Sequence, residues 1–221
     1  MRPNDADSPP RARDPVLLLL SGGVDSTTVL ADLSRQGHPV IAVTFDYGQR
    51  HAVEVLAAKK FAQRYAVAEH LIVYLDLQLG GASTLLAGAL PVATFDGPLP
   101  SGPVDTYVPA RNLTFIGHAA GIAEARRIRR IIVGFNADDA ANYWDCSAEF
   151  VERVNATLQL GGGNAAQVEA PYLQMTKADV AARARHLGVE LAETVSCYAP
   201  VDGVACGRCL SCRLGGDAAS T

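Results

Sequence analysis

The feature that most restricts the fold of this chain is a short apolar run that stops at a pair of glycines. Residues 15–20, PVLLLL, have the composition of a strand buried on both faces of a parallel sheet. Gly22 and Gly23 follow at once, and residues 25–36 are predicted to form a helix that ends at Gly37. A strand, a tight turn and a helix in this order are typical of the first unit of an α/β domain.

The rest of the chain continues the alternation of strands and helices. Further strands are predicted at 39–45, 70–77, 130–135 and about 168–172, and further helices at 51–66, 112–127, 147–159 and about 177–187. The Gly-, Pro- and Ser-rich stretch 80–109 is predicted to be a long loop with at most one short helix, and its length suggests a lid over a binding site.

This pattern predicts an α/β fold with a Rossmann-like, doubly wound parallel sheet. We expect a disordered N-terminal segment at 1–14, the α/β domain at 15–190 and a cysteine-bearing C-terminal segment at 191–221.

The composition fits a globular domain and argues against several classes of protein. Of the 221 residues, 49% are hydrophobic and 19% are charged, which excludes a disordered or fibrous chain. The net charge is -4, whereas nucleic-acid-binding domains are usually basic. The N-terminus carries no signal-peptide pattern and the run 16–20 is too short to span a bilayer, so we expect a soluble, cytoplasmic protein that binds neither nucleic acid nor membranes.

The loop after the first predicted strand, SGGVDSTT at 21–28, has the residue types of a phosphate-binding turn. Adjacent glycines let backbone N–H groups approach an anion, and Ser21, Ser26 and Thr27 add hydroxyl donors. The loop has neither the Gly-Lys-Ser/Thr of a Walker A motif nor the dinucleotide fingerprint, which disfavours a hydrolytic NTPase or a dehydrogenase. The alternative interpretation is a plain turn with a helix cap.

Four of the five cysteines form a C-x8-C-x2-C-x2-C array: Cys197, Cys206, Cys209 and Cys212. Two-residue spacers suit a tetrahedral Zn²⁺ with four thiolate ligands, which would be structural because no coordination position stays open. An iron–sulfur cluster has similar spacings and remains an alternative. The fifth thiol, Cys146, is predicted to be a small buried apolar side chain without a catalytic role.

Polar clusters follow the other predicted strands at the same edge of the sheet. They are FDYGQRH at 45–51, GFNADD at 134–139 and, before a helix, VPARN at 108–112. Such loops suit a planar ligand rich in heteroatoms, and Arg111 suits a carboxylate or phosphate. Each of these clusters, taken alone, also fits a solvated loop.

The SGGVDS loop resembles the pyrophosphate loop of the N-type (PP-loop) ATP pyrophosphatases, which have the adenine nucleotide α-hydrolase-like fold. Together with FDYGQRH, VPARN, VGFNADD, the 143–146 element and SCY…CGRCLSC, it resembles the 7-cyano-7-deazaguanine synthase family of queuosine biosynthesis over residues 16–214. Trp144 and Ser147 stand where that family's pattern has proline and arginine, which leaves room for a related substrate.

The resemblance implies an ATP-dependent ligase that converts 7-carboxy-7-deazaguanine and ammonia to the nitrile, with ATP as co-substrate, Mg²⁺ held with the help of Asp25, structural Zn²⁺ and a homodimeric assembly. It implies catalytic roles for Ser21, Asp25, Ser26 and Lys177. The implied ATP-binding residues are Leu20, Ser21, Gly22, Gly23, Val24, Asp25, Ser26, Thr27, Thr28, Val29 and Leu30. The implied substrate-binding residues are Tyr47, Gln49, Arg50, Arg111, Asn112, Asn136, Asp138 and Asp145.

Two other functions remain open at this stage. A tRNA-thiolating or tRNA-adenylating ATP pyrophosphatase would need a basic face or an RNA-docking domain, and neither is visible in the sequence. A zinc-ribbon interaction module that binds ATP as a regulator would not need the polar clusters at the strand ends.

Overall fold

A computed structural model describes residues 13–49, 53–77, 83–86, 91–99, 104–163, 165–201 and 204–215. The strands are β1 (Val16–Leu19), β2 (Val40–Asp46), β3 (Glu69–Tyr74), β4 (Arg130–Ile132) and β5 (Gln167–Glu169). The α-helices are α1 (Val24–Arg35), α2 (Val53–Arg64), α3 (Arg111–Ala125), α4 (Ala137–Asn142), α5 (Ala148–Leu158), α6 (Lys177–His186) and α7 (Leu210–Gly215). Short 3₁₀ turns lie at Trp144–Cys146, Gln159–Gly161 and Leu191–Glu193.

The strands form one parallel sheet in the order β3-β2-β1-β4-β5. From β1 the chain first adds β2 and β3 on one side and then crosses to add β4 and β5 on the other side. The strand order therefore reverses between β1 and β4. In open α/β sheets, ligands bind outside the carboxyl ends of the strands at such a reversal.

Apolar layers cover both faces of the sheet, because successive strand residues point to opposite sides. Leu17, Val43 and Ile131 belong to the layer that includes residues of α3 and α5. Leu18, Ala42 and Ile132 belong to the layer that includes residues of α1, α2 and α6. The unbroken apolar run at β1 is thus explained, since both of its faces are buried, and the predicted doubly wound α/β fold is confirmed.

The predicted elements agree with the structure except at short helices and strand ends. Helix α4 follows β4 after residues 133–136. It falls where a loop is predicted, because its six residues are too few to show a helical period. Helix α7, also six residues, lies in the predicted cysteine segment. Strand β4 ends at Ile132, three residues before the predicted end, and β5 spans Gln167–Glu169.

Several parts of the predicted organisation fall on residues outside the described ones. They include residues 1–12 of the predicted disordered segment and residues 80–82, 87–90 and 100–103 of the predicted lid. Within the described part of that loop, Leu86 forms an antiparallel bridge with Gln49. No helix in the described ranges is long and apolar enough to cross a membrane.

We predict that Phe61→Ala lowers the free energy of unfolding by about 3–5 kcal/mol, because Phe61 is fully buried in the layer beneath α2 and its truncation leaves a cavity. Urea denaturation followed by circular dichroism measures this change. Leu56→Ala on the same helix is the matched control, because Leu56 is 62% exposed, and its effect should stay within about 0.5 kcal/mol. Equal losses in the two variants would contradict the assigned core.

Candidate active site

A cleft of about 220 Å³ lies at the carboxyl ends of β1, β2 and β4. Its walls include Leu20 after β1, the β2 residues Thr44 and Phe45, and Phe135 after β4. The walls also include residues from α1, α2, α3, α4, α6 and α7. The cleft therefore occupies the place where the sheet topology predicts a ligand site.

The turn between β1 and α1 is held in shape by glycine geometry and by its own serines. Gly22 has a φ of +84°, and a Cβ there would lie 2.6 Å from the carbonyl oxygen of Glu54, so only glycine fits. The Ser21 and Ser26 hydroxyls lie 3.0 Å apart, and the Ser21 N–H donates to Ser26 Oγ over 3.1 Å. These bonds place both hydroxyls at the N-terminus of α1, and both residues line the cleft.

A second glycine brings the segment after β4 against the start of α1. A Cβ on Gly134 would lie 2.9 Å from the backbone nitrogen of Ser26 and 3.1 Å from the carbonyl carbon of Asp25. The backbone after β4 thus packs directly on the turn. This close contact brings the polar cluster that follows Gly134 beside the loop after β1.

A buried group of charges joins α1, α4 and α6 at this end of the cleft. Lys177 Nζ lies 2.9 Å from Asp139 Oδ1, and both side chains are at least four-fifths buried. Burial raises the pKa of Asp25 to about 6, with Lys177 lowering it and Asp139 raising it. Burial alone would lower the pKa of Lys177, but the charges of Asp139 and Asp25 outweigh it and keep the ammonium protonated.

The Asn136 side chain organises this group. Its Oδ1 caps α4 by accepting the Asp139 N–H, and its Nδ2 donates to Asp139 Oδ2, each over 2.9 Å. It also hydrogen-bonds the Asp25 carboxylate, which lowers the pKa of Asp25. Asn136 is fully buried, so it acts through the two carboxylates that it orients.

At the other end of the cleft lie four of the predicted substrate-binding residues. The Arg111 guanidinium donates to the Tyr47 hydroxyl over 3.2 Å and lies over the Tyr47 ring. Gln49 accepts the Tyr47 N–H and donates to the Phe45 carbonyl, which closes the turn after β2. Asn112 donates through Nδ2 to the Asp145 carbonyl and to Cys146 Sγ. Arg111 has no ion pair within the described part of the chain.

The remaining sequence-predicted residues lie elsewhere. The Asp138 carboxylate accepts the Lys177 N–H and points to the start of α6, whereas its neighbour Asp139 lines the cleft. The Asp145 carboxylate is buried and accepts the Asn112 N–H. Arg50 lies outside the described residues. Of the predicted ATP-binding segment, Val29 and Leu30 pack in the core and Thr27 and Thr28 are fully buried.

Several cleft residues escaped the sequence-based prediction. Asp139 belongs to the GFNADD motif, but the direction in which it faces on α4 depends on the Asn136 cap. Glu54 lies in the first turn of α2, where only an amphipathic pattern was visible. Ser196 and its neighbours Val195 and Tyr198 adjoin the first cysteine of the tail, and the sequence holds no signal that they return to the loop after β1.

The four tail cysteines converge on one point. Their Sγ atoms all lie within 4.8 Å of one another. Backbone N–H groups surround the sulfurs: those of Ala199 and Cys206 donate to Cys197 Sγ, and that of Cys209 donates to Cys206 Sγ. Donors around sulfur stabilise thiolates, so the donor set fits a metal ion with four sulfur ligands.

The segment that leads into this cluster is hydrogen-bonded to the loop after β1. The Val195 N–H donates to the Gly22 carbonyl over 3.0 Å, and Ser196 Oγ accepts the Val24 N–H over 3.1 Å. Ser196 therefore satisfies one of the free N–H groups at the N-terminus of α1. The cysteine cluster and the loop are thus connected through two residues.

The structure places the SGGVDS loop at the reversal of a parallel sheet, beside Lys177 and two carboxylates. This arrangement agrees with the class that the loop sequence resembles, the N-type ATP pyrophosphatases. The family described as "Queuosine biosynthesis protein QueC" matches residues 15–220. The chain belongs to the QueC family, which confirms the resemblance found in the sequence.

Curated relatives give the same assignment. The 7-cyano-7-deazaguanine synthase of Saccharophagus degradans is 43% identical, over 90% of this chain and 89% of that protein. The enzyme of the same name from Paramagnetospirillum magneticum is 40% identical, over 90% of this chain and 91% of that protein. Among solved structures, an NMN synthetase from Francisella tularensis aligns with a TM-score of 0.46 and 16% identity, over 90% of this chain and 71% of that chain.

We predict that Gly134→Ala weakens ATP binding by at least about 10-fold, because the added Cβ pushes on the backbone of Ser26 and moves the loop. Isothermal titration calorimetry measures the affinity. Gly121→Ala is the matched control, because a Cβ at Gly121 in α3 would meet no atom within 4 Å. That variant should keep the wild-type affinity and gain roughly 0.5–1 kcal/mol of stability. Wild-type affinity in the Gly134 variant would refute the contact.

Proposed function

We propose that this protein is a 7-cyano-7-deazaguanine synthase, which uses ATP to convert 7-carboxy-7-deazaguanine and ammonia to the nitrile and releases AMP and pyrophosphate. The observation that carries the proposal is one cleft with the ATP-pyrophosphatase loop and Lys177 at one end and Arg111 at the other. Membership of the QueC family and the names of the relatives support the substrate.

The loop end of the cleft suits the triphosphate of ATP. The N-terminus of α1 and the Ser21 and Ser26 hydroxyls offer donors to the pyrophosphate, which is the leaving group. The Lys177 ammonium adds positive charge beside them. The carboxylates of Asp25 and Asp139 are buried and repel each other, so together they form a donor set that suits a Mg²⁺ ion. Such an ion, when bound, would neutralise charge on the phosphates.

The Arg111 end suits the planar base and its carboxylate. Phe115 packs against the Tyr47 ring in this part of the cleft. Arg111, which has no ion pair among the described residues, offers a planar fork for a carboxylate. With the carboxylate held there, one of its oxygens attacks the α-phosphorus of ATP, pyrophosphate leaves, and an acyl-adenylate forms. Ammonia then displaces AMP to give the amide, which a second ATP activates on the amide oxygen before AMP leaves and the nitrile forms.

The mechanism requires no protein nucleophile, which agrees with the environment of Cys146. Burial raises the pKa of its thiol, with further increases from Asp139 and Asp145, so the thiolate is disfavoured. The Sγ atom accepts a hydrogen bond from Asn112 over 3.2 Å. Cys146 is best described as a packing residue of the cleft wall.

The other parts of the proposal concern the metal and the cellular setting. The four cysteine thiolates would hold a structural Zn²⁺, which would tie the ends of the cysteine segment together. We further propose a cytoplasmic homodimer that takes free ammonia and a free modified base, rather than RNA. The net charge of -4 supports a small substrate over tRNA, because RNA binding needs a basic face.

Purified protein incubated with ATP, ammonium and 7-carboxy-7-deazaguanine should yield the nitrile, AMP and pyrophosphate, as measured by mass spectrometry. The same reaction with tRNA in place of the base tests the alternative of a tRNA-modifying enzyme and should yield no modified RNA. Absence of both nitrile and AMP with the free base would overturn the proposed function.

We predict that Ser26→Ala lowers the exchange of pyrophosphate into ATP, driven by the carboxylate substrate, by about 100-fold, because the variant loses a donor at the loop. Radiolabelled pyrophosphate measures the exchange. Ser34→Ala is the matched control, since Ser34 lies in the same helix and is exposed, and its exchange should match the wild type. Normal exchange in the Ser26 variant would contradict the role of the loop.

We predict one zinc per chain in the purified protein and much less in Cys206→Ser, because a site that loses one of four thiolates binds zinc weakly. Plasma mass spectrometry measures the metal content. Cys146→Ser serves as the control, because Cys146 is not in the cluster, and it should retain the zinc. Iron in place of zinc would instead support the iron–sulfur alternative.

A further inference from the structure

Nitrile formation requires a proton acceptor, and the residues of the loop after β1 do not supply one. Transfer of AMP from the second ATP to the amide oxygen releases pyrophosphate and leaves a protonated imidate, R–C(=NH₂⁺)–O–AMP. Loss of one proton to water gives R–C(=NH)–O–AMP. The remaining N–H proton must leave as AMP departs, so a proton acceptor beside the reacting carbon accelerates this step.

Most titratable groups in the cleft are poorly suited to accept that proton. Asp139 is paired with Lys177, and Asp25 receives a hydrogen bond from Asn136 and faces the phosphate end. Burial raises the pKa of both Tyr47 and Cys146, so each already holds its proton. Lys177 is protonated as well.

Glu54 is the remaining carboxylate in the described wall of the cleft. It lies in the first turn of α2, and its backbone oxygen is the atom that a Cβ on Gly22 would strike, so it stands directly beside the loop. Its carboxylate has no hydrogen bond or ion pair within 4.0 Å among the described residues. Burial raises its pKa to about 7, and Arg111 lowers it.

The groups that face Glu54 come from two elements, and both belong to the substrate end of the cleft. Arg111 at the start of α3 acts on the Glu54 carboxylate, and the Glu54 charge in turn raises the pKa of Tyr47 after β2. Glu54 thus lies between the ATP loop and the arginine that suits the substrate carboxylate. A carboxylate in this position borders both the loop end and the Arg111 end of the cleft.

We propose that Glu54 is the general base of nitrile formation. Its carboxylate takes the last N–H proton of the adenylated amide, and the N–H electron pair becomes the third carbon–nitrogen bond. The C–O bond breaks, and AMP leaves with its electron pair. Glu54 then passes the proton to water. This assignment rests on the proposed function and adds a catalytic residue to it.

The test separates the two halves of the reaction. The amide 7-amido-7-deazaguanine is supplied with ATP, so no ammonia is needed, and nitrile is measured by mass spectrometry. Glu54→Gln keeps the size of the side chain and is expected to slow nitrile formation about 100-fold or more. Pyrophosphate exchange driven by the 7-carboxy base should stay within about 3-fold of the wild type, because that step needs no base.

Two comparisons distinguish proton transfer from a structural role. Glu54→Asp retains a carboxylate and should form nitrile at least about 10-fold faster than the Gln variant, whereas equal rates would argue against a base. Nitrile formation by the wild type should rise with pH through about 7, as Glu54 ionises, and this rise should be lost in the Gln variant.

The controls keep this proposal separable from the proposed function. Glu149→Gln on α5 changes a side chain that is 76% exposed and should leave both half-reactions unchanged. Wild-type nitrile rates in Glu54→Gln, or an equal loss of exchange and nitrile formation, would overturn the role of Glu54. Absence of exchange and nitrile in the wild type would instead overturn the proposed function.

Discussion

The rest of the site depends on one buried ammonium. Lys177 begins α6, its Nζ lies 2.9 Å from Asp139 at the start of α4, and its charge also acts on Asp25 at the start of α1. A buried cation is costly unless it is paired, and a buried pair of carboxylates is costly unless a cation lies near them. Each charge therefore requires the others, and three helix N-termini are held at one point.

This arrangement leaves the site with two chemically different ends. Near Lys177 the walls carry one ammonium and the carboxylates of Asp25 and Asp139, which act on one another. Near Arg111 the guanidinium lies against the Tyr47 ring and has no ion pair among the described residues. Glu54 lies between these two ends of the cleft.

The sequence predicted the sheet well because the strands that form its centre are apolar on both faces, as residues 16–20 show. It also indicated that polar residues after β1, β2 and β4 would share one edge. It did not reveal that Asp139, rather than Asp138, lines the cleft, because a helix of six residues is too short to show a helical period in its sequence. Glu54 and Ser196 were missed because their positions depend on contacts between segments far apart in sequence.

The hydrogen bonds from Val195 and Ser196 to the loop after β1 have a consequence for biosynthesis. The strand, the turn and α1 leave the ribosome early, but the groups that complete the turn lie more than 160 positions later, at the entrance to the cysteine cluster. The nascent chain can build its sheet before it can finish its nucleotide loop. Folding of the cysteine segment onto the loop is then the step that completes the turn of an already formed sheet.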